Sequence, residues 1–392
     1  MKKRVYLDYS ATTPMKQEVL NAMLPHFNVQ FGNPSSIHCF GRENKAVIDQ
    51  ARQIIAKTIN ASADEVFFTG GGSESDNWAI KGVVSALKGK GKHIITSKIE
   101  HHAVLHTCEF LEKEGFEVTF VDVDEFGIVD LNQLQRSIRP DTILITIMYA
   151  NNEIGTIQPI KEIGELAKKH NITFHVDAVQ AYGNVRIDVQ ELKIDLLSLS
   201  AHKVYGPKGI GLLYIKKGTK IIQLIHGGAQ EKRRRAGTEN VPAIVGFGKA
   251  AELAYQDLEG HVKHLTFLRD KLINGLLEKI PYSRLNGHPT KRLPGNANIS
   301  IEYIEGEALL LSLDMVGIAC SSGSACTSGS LDPSHVLMAI GLSHEVAHGS
   351  LRFTIGDFTS EEDVDYVLKE LPIIVERLRQ MSPLYEKVKG GN

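Results

Sequence analysis

A lysine, an aspartate and a glycine-rich turn stand where side chains do chemistry rather than solvate a surface. Lys203 follows the apolar run DLLSLSA and precedes the rigid turn VYGPKGIG. A lysine at the end of an apolar strand is partly desolvated, which lowers its ammonium pKa and makes the amine a nucleophile able to form a Schiff base. Asp177 closes another apolar run, ITFHVDA. A carboxylate there is either a structural acceptor or the partner of a cationic ring nitrogen. Gly70-Gly71-Gly72-Ser73-Glu74 joins a strand to a helix. Its free amides suit an anion such as a phosphate, and Ser73 is expected to cap the helix. No GK[ST] follows and the GxGxxG spacing is missing, so neither a Walker A loop nor a dinucleotide fingerprint is indicated. Lysine, aspartate and phosphate cradle together form the protein half of a pyridoxal-phosphate site.

Four cysteines occur, with no C-x-x-C among them. Cys320 closes the apolar run MVGIAC and reads as a buried, inert thiol. Cys326 lies among Ser, Gly, Ala and Thr, a composition that exposes a thiol to reaction. His102 and His106 stand i, i+4 on a helix with Cys108 near, a spacing open to zinc. HExxH is absent and no third ligand has a telling spacing, so no metal is expected. His175, inside an apolar strand, reads as a hydrogen-bonded core histidine.

These residues need elements to hold them. Strands are expected at 65–70, 93–98, 118–123, 142–148, 172–178, 195–201 and 211–216, with helices at 73–88, 101–114, 130–138 and 159–170. The strands are short and rich in Val, Ile, Leu and Phe, the mark of a parallel sheet covered on both faces. Alternating strands and helices define an α/β doubly wound domain. Ligands of such sheets sit beyond the carboxyl ends of the strands. The residues that follow those ends are GGSESDN, His101 and His102, Asn151 to Glu153, Asp177 and Gln180, and His202 and Lys203. Polar groups able to do chemistry therefore converge on one rim.

Residues 217–240 read as a long polar, basic loop, followed by helices at 241–258 and 261–280. Strands at 296–303 and 350–355 mix with helices at 305–314, 333–340 and 360–379 in a smaller α+β domain. The boundary is placed near 258–262, giving a large domain over 16–259 and a small one from 1–15 and 260–392. The chain has 392 residues, with 44 Lys+Arg against 46 Asp+Glu. That balance argues against bulk attraction to nucleic acid or an anionic membrane. No apolar stretch approaches a spanning helix. Scattered thiols suit a reducing compartment, so a cytoplasmic protein is expected.

Nine segments, in order, resemble one family: YLDYSATTP, FGNPSSIH, GGSESDN, EHHAVL, NNEIGTIQP, HVDAVQ, SAHKVYGPKGIG, RRAGTEN and SSGSACTSGSLDPSHVL. The chain is similar over nearly its whole length to the cysteine desulfurases of the NifS/IscS type, group I, within the class V aminotransferase-like enzymes of fold-type I. The resemblance implies a large, mostly parallel seven-stranded sheet domain plus a smaller α+β domain. It implies pyridoxal 5'-phosphate on Lys203, Asp177 against the ring nitrogen, Gln180 on the ring's phenolate oxygen and His101 stacked on the ring as an acid/base. Gly72, Ser73, Ser200 and His202 would hold the phosphate, and Thr238 would reach the phosphate of the neighbouring subunit in a homodimer. Asn152 lies by both cofactor and substrate. Asn152 and Arg352 would bind the carboxylate of L-cysteine, with Asn33 assisting.

Cys326 would accept the substrate sulfur as a persulfide, releasing L-alanine. The implied partner is an Fe–S scaffold or other sulfur-acceptor protein, able to take an Fe–S cluster at Cys326. Gly72, Ser73 and Ala201 replace the family's frequent Ala, Thr and Gly, and none of these changes removes a required group. A selenocysteine lyase or a class V aminotransferase is the alternative, and neither would pass its product through Cys326. A sulfur-relay scaffold without catalysis would lack Lys203, Asp177 or His101, and all are present.

Overall fold

The computed structural model describes residues 3–322, 333–382 and 385. Its strands are β1 (Val5–Tyr6), β2 (Val66–Thr69), β3 (His93–Ser97), β4 (Glu117–Val121), β5 (Thr142–Met148), β6 (Thr173–Asp177), β7 (Leu196–Ser200), β8 (Gly211–Ile215), β9 (Ser283–Asn286), β10 (Asn296–Ile301), β11 (Ile318–Ala319) and β12 (Ser350–Thr354). Seven of them form one sheet in the order β2-β8-β7-β6-β5-β3-β4. Only β8 runs against its neighbours; the other pairings are parallel. The mixed α/β fold and its mostly parallel seven-stranded sheet are as the sequence and its resemblance imply.

Burial explains why these segments are strands. Every residue of β2, β3, β5, β7 and β8 is buried, so both sheet faces are covered by helices. Between β3 and β5 the strand order reverses, since β4 lies beyond β3 and β6 lies on the far side of β5. A crevice opens at such a reversal, beyond the carboxyl ends of the strands.

The remaining strands serve a second core. β10 lies between β9 and β12 in an antiparallel sheet, and β1 pairs with β11. Leu268, Leu272, Ile299, Leu313, Phe353 and Leu371 meet there. The principal core of the large sheet gathers residues from Val19 to Leu293. The helices Val241–Gln256 and Leu258–Lys279 meet at Asp257, whose backbone (φ −143, ψ 60) leaves the helical region and whose side chain takes the Gly260 N–H.

Several elements fall outside the sequence expectation, among them β1, β11, the helices Gln17–Met23 and His344–His348, and the three that follow. The helix Cys39–Thr58 buries Gly41, Asn44 and Arg52 among its Ile and Ala residues, so its inner face lacks a clean apolar stripe. β9 is half-exposed. A short turn at Gln230–Arg233 interrupts the loop expected over 217–240.

Candidate active site

The lysine turn is built from β7. At Ser200 the strand passes directly into the single turn Ala201–Lys203. The N-terminal segment fastens it: Thr13 Oγ1 donates to the His202 carbonyl (2.9 Å) and accepts the Tyr205 N–H (2.8 Å), while His202 Nδ1 meets Thr12 Oγ1 at 3.2 Å. Lys203 Nζ donates to the carbonyls of Ser10 and Ala11, the latter at 2.9 Å. Gln180 Nε2 donates to the same Ser10 carbonyl at 2.9 Å. Lys203 and Gln180 are thus gathered on one backbone segment, beside a cavity of about 640 Å³.

Asp177 ends β6, buried, with Oδ1 accepting the Val179 N–H at 2.9 Å. Burial pushes its carboxyl up to about 6, against the Val179 bond and the charge of Lys203. Acceptor capacity remains on the carboxylate for a cationic N–H. Behind it His175 is fully buried and hydrogen-bonded on both ring nitrogens, to Thr146 Oγ1 (2.8 Å) and Ser198 Oγ (2.9 Å). It is the core histidine its strand position suggests. Asp76 Oδ1 lies 3.6 Å from His175 Nε2. Burial drives the histidine down to about 3 and Asp76 well above the ordinary carboxylate range.

His101 caps the helix His102–Lys113, its Nδ1 accepting the Ala103 N–H at 3.1 Å. Burial and then the charge of Lys203 push this imidazole down to about 4. It is neutral at pH 7, with its proton on Nε2 because Nδ1 accepts. His202 is pushed down to about 4 by burial, then Lys203 and Lys208.

The glycine turn presses against this group. A Cβ on Gly72 would lie 2.8 Å from Val179 Cγ2 and 3.7 Å from Ser200 Cβ. The turn therefore touches the ends of β6 and β7. Gly71 (φ 155) is the N-cap of the helix Gly72–Leu87. Ser73 does not cap this helix, contrary to expectation: it stands exposed in the first turn because the backbone enters the helix one residue earlier. Its hydroxyl and the first-turn amides suit an anion. Thr69 and Ser75, whose hydroxyls meet at 2.7 Å, brace the turn; Ser75 Oγ also donates to the Leu212 carbonyl. Sequence reasoning missed this brace, whose signal is the hydroxyl pair flanking the glycines.

On the other side stands Arg352 of β12, buried. Its Nη2 donates to Asp8 Oδ1 (2.9 Å) and its Nη1 to the Asn152 carbonyl (3.2 Å); Nε has no partner among the described residues. Asn152 thus meets Arg352 through its backbone rather than its side chain. Asn33 and Thr238 lie on exposed loops. Asn33 Oδ1 accepts the nearby Ser35 N–H at 2.9 Å.

Cys326 lies outside the described residues. The chain before it is fixed where Ser321 and Arg352 exchange backbone hydrogen bonds (3.2 and 2.6 Å). The chain after it is fixed where Ser334 Oγ donates to the buried Glu153 and His335 Nε2 lies 3.0 Å from the Glu100 carbonyl. Cys320 is half-buried beside the second core, and burial raises its thiol.

Two further acids are buried: Glu153, which the sequence places beyond a strand end, and Glu100, which sequence reasoning missed. Glu100 is fully buried, accepts from Ser97 Oγ (2.5 Å) and the Met148 N–H (3.0 Å), and is pushed by burial up to about 8. Glu153 is pushed up to about 7 by burial, against Ser334 and Arg352. Glu100 has no sequence pattern that separates it from a surface carboxylate. The rings of His102 and His106 lie 4.8 Å apart, and those of His102 and His335 4.9 Å. Among the described residues no cluster of His, Cys, Asp or Glu is placed to hold a metal ion.

An amine, a buried carboxylate and an amide cradle on one rim suit a phosphorylated heteroaromatic aldehyde. Comparisons with known proteins agree with this chemistry. Residues 5–367 match the model of the aminotransferase class-V family. The chain is 61% identical over 385 residues to a cysteine desulfurase IscS of Methanosarcina thermophila, covering 98% of this chain and 95% of that one. A solved NifS-like protein superposes with a TM-score of 0.91 at 39% identity, covering 96% of this chain and all of the other. A structure of SspA in complex with cysteine superposes at 0.80 with 40% identity, covering 92% of this chain and all of the other. The chain belongs to the aminotransferase class-V family, in its cysteine desulfurase branch.

Proposed function

We propose that this enzyme removes sulfur from L-cysteine with pyridoxal phosphate bound to Lys203, and passes it through Cys326 to an acceptor protein. The observation that carries the reading is the meeting of Lys203, buried Asp177 and the Gly72 turn on one sheet rim, in a chain 61% identical to a cysteine desulfurase. The fit of the cofactor rests on three features. The carboxylate is buried and keeps acceptor capacity. The glycine turn packs against Val179 and Ser200, which brings the first-turn amides of its helix to the ends of β6 and β7. The lysine lies within electrostatic reach of Asp177.

Bound pyridoxal phosphate supplies an electron sink for negative charge at the substrate's Cα. The residues of the chain do the rest. Asp177 holds the ring nitrogen protonated. Gln180 meets the phenolate oxygen, and Gly72, Ser73, Ser200 and His202 hold the phosphate. Arg352 and Asn152, with Asn33, orient the substrate carboxylate. The Lys203 amine takes the Cα proton. Neutral His101 would lie against the cofactor and could offer its Nε2 proton as acid. Cys326 Sγ forms an S–S bond as the substrate's Cβ–S bond breaks, and protonation of the carbon fragment gives L-alanine. Cys326 is five residues beyond Ser321, so its Cα reaches at most about 18 Å from that residue, which is itself paired with Arg352.

A homodimer is part of the proposal, with Thr238 on the neighbouring subunit's phosphate. Its support is the exposed apolar group Leu24, Phe27, Val29, Phe31, Ile37 and Phe40, each at least half-exposed and too concentrated for an ordinary free surface. The acceptor is an Fe–S scaffold or a similar sulfur-binding protein, and the enzyme works in the reducing cytoplasm. Two domains, 16–259 and 1–15 with 260–392, are part of the reading, and the core that joins Val5 and Leu7 to residues between Leu265 and Val375 supports the second. The test is L-alanine formation from L-cysteine by the reconstituted enzyme and by Cys326→Ala. Alanine without transfer of sulfur from Cys326 would replace this reading with the selenocysteine lyase one.

A further inference from the structure

The loop that carries Thr238 breaks a backbone rule. Glu231, Lys232 and Arg233 all have positive φ (45°, 57° and 65°). Left-handed backbone is unfavourable for any residue with a Cβ, and three such residues in succession are not self-sustaining. Something must hold them.

The holder is visible. Glu231 is buried and pairs with buried Arg52 through both oxygens, Nη1 to Oε2 and Nη2 to Oε1, each at 2.7 Å. Glu231 Oε2 also takes the Phe68 N–H at 2.9 Å, and Arg52 Nη1 donates to the Val66 carbonyl at 2.6 Å. The guanidinium lies 4.8 Å from the Phe68 ring centre. The Val66 carbonyl, the Phe68 N–H and the Phe68 ring all belong to β2, the strand that leads into the glycine turn. A second tether follows: Arg235 donates to both oxygens of Glu74 (2.9 and 3.2 Å), and Glu74 also takes the Gly70 N–H. Thr238 stands three residues further on, exposed.

Stability alone is a poor account of this pair. Burying two charges costs desolvation that their attraction roughly offsets, and apolar replacements of such pairs are often no less stable. What a bidentate pair adds is a fixed direction.

We propose that Arg52 and Glu231 are positioning residues for the cofactor. They lock 231–233 in a left-handed turn and so aim Thr238 at the phosphate held by the neighbouring subunit. The inference rests on the homodimeric reading given above. Because the clasp grips β2 and the second tether grips the first turn of the phosphate helix, the position of Thr238 is set by the same elements that cradle the subunit's own phosphate.

The experiment follows release of pyridoxal phosphate from purified holoenzyme, by loss of its protein-bound absorbance in the presence of a trap. It compares Glu231→Gln, Arg52→Lys, Thr238→Ala, and Glu231→Gln combined with Lys232→Gly and Arg233→Gly. Glu231→Gln and Arg52→Lys are expected to release cofactor about tenfold faster or more, as Thr238→Ala does, matching loss of one charge-assisted contact. The two added glycines, free to adopt positive φ, are expected to bring release back to within about threefold of the unsubstituted enzyme. Arg52→Lys keeps the charge and serves if Glu231→Gln does not fold. Unchanged release in both clasp variants, with fast release in Thr238→Ala, would overturn the clasp and leave the dimeric reading intact. Unchanged release in Thr238→Ala would overturn that reading and the clasp's purpose with it. Fast release that the glycines do not correct would show that the pair does not act through the left-handed turn.

Discussion

The rim of the large sheet and the exposed loops around it are built on opposite principles. On the rim, Lys203, Asp177 and His101 sit at or just beyond the ends of sheet strands, and each makes hydrogen bonds within this one chain. On the loops, Asn33 and Thr238 are exposed and bonded at most to their own neighbourhood. The apolar group from Leu24 to Phe40 is left facing outward beside them. The lesson is a division of labour. The chain fixes Lys203, Asp177 and His101 by its own hydrogen bonds, whereas Asn33 and Thr238 are the residues that the proposed homodimer would put to use.

The largest break should come on the rim. Lys203→Ala is expected to lower alanine formation by about four orders of magnitude, because it removes both attachment and proton transfer. Steady-state assay with excess cofactor checks this, and the purified variant should no longer hold cofactor covalently. Asp177→Ala comes next, at about 10²–10³ in rate, the scale of losing one preorganised charge partner. Its fold should persist, since burial already disfavours the carboxylate.

On the loop side the effect is smaller and depends on concentration. Phe31→Asp with Ile37→Asp is expected to shift the dimer toward monomer by at least about tenfold in dissociation constant. Analytical ultracentrifugation reads that shift, and cofactor retention should fall in parallel. An unchanged dimer would place the interface elsewhere.

The subtlest effect is on pH. Glu100 is raised to about 8 when folded, against an ordinary value near 4.5. Between those values the folded state holds a proton that the unfolded state has released, so this carboxyl costs the wild type stability progressively as pH rises. Glu100→Gln should therefore gain a few kcal/mol over wild type at pH 8 that it lacks at pH 4. Urea denaturation at the two pH values checks this. An equal difference at both would mean that Glu100 is ionised in the fold.

Much of this was legible in the chain. The strands β2, β3, β5, β7 and β8 announce themselves as short apolar runs, because both of their faces are buried. The strand-end residues were legible for the same reason: whatever polar group follows such a run must lie on the rim. The helix Cys39–Thr58 was not, since its buried face includes Asn44 and Arg52. Those polar residues are there for distant partners, as Arg52 is for Glu231, 179 residues away. Asp76 and Glu100 stayed hidden because their burial is a property of packing, with no local periodicity to mark it. Ser73 was misread as a cap because a positive φ at Gly71 starts the helix one residue sooner. The nine motifs carried the family, and the comparisons bear that out.

The measurement that tests the central claim most directly is mass spectrometry of the enzyme reconstituted with pyridoxal phosphate and given L-cysteine without reductant. The account predicts one additional sulfur on the peptide that contains Cys326, with L-alanine formed alongside it and neither product in Lys203→Ala. Alanine accumulating while that peptide stays unmodified would contradict the account.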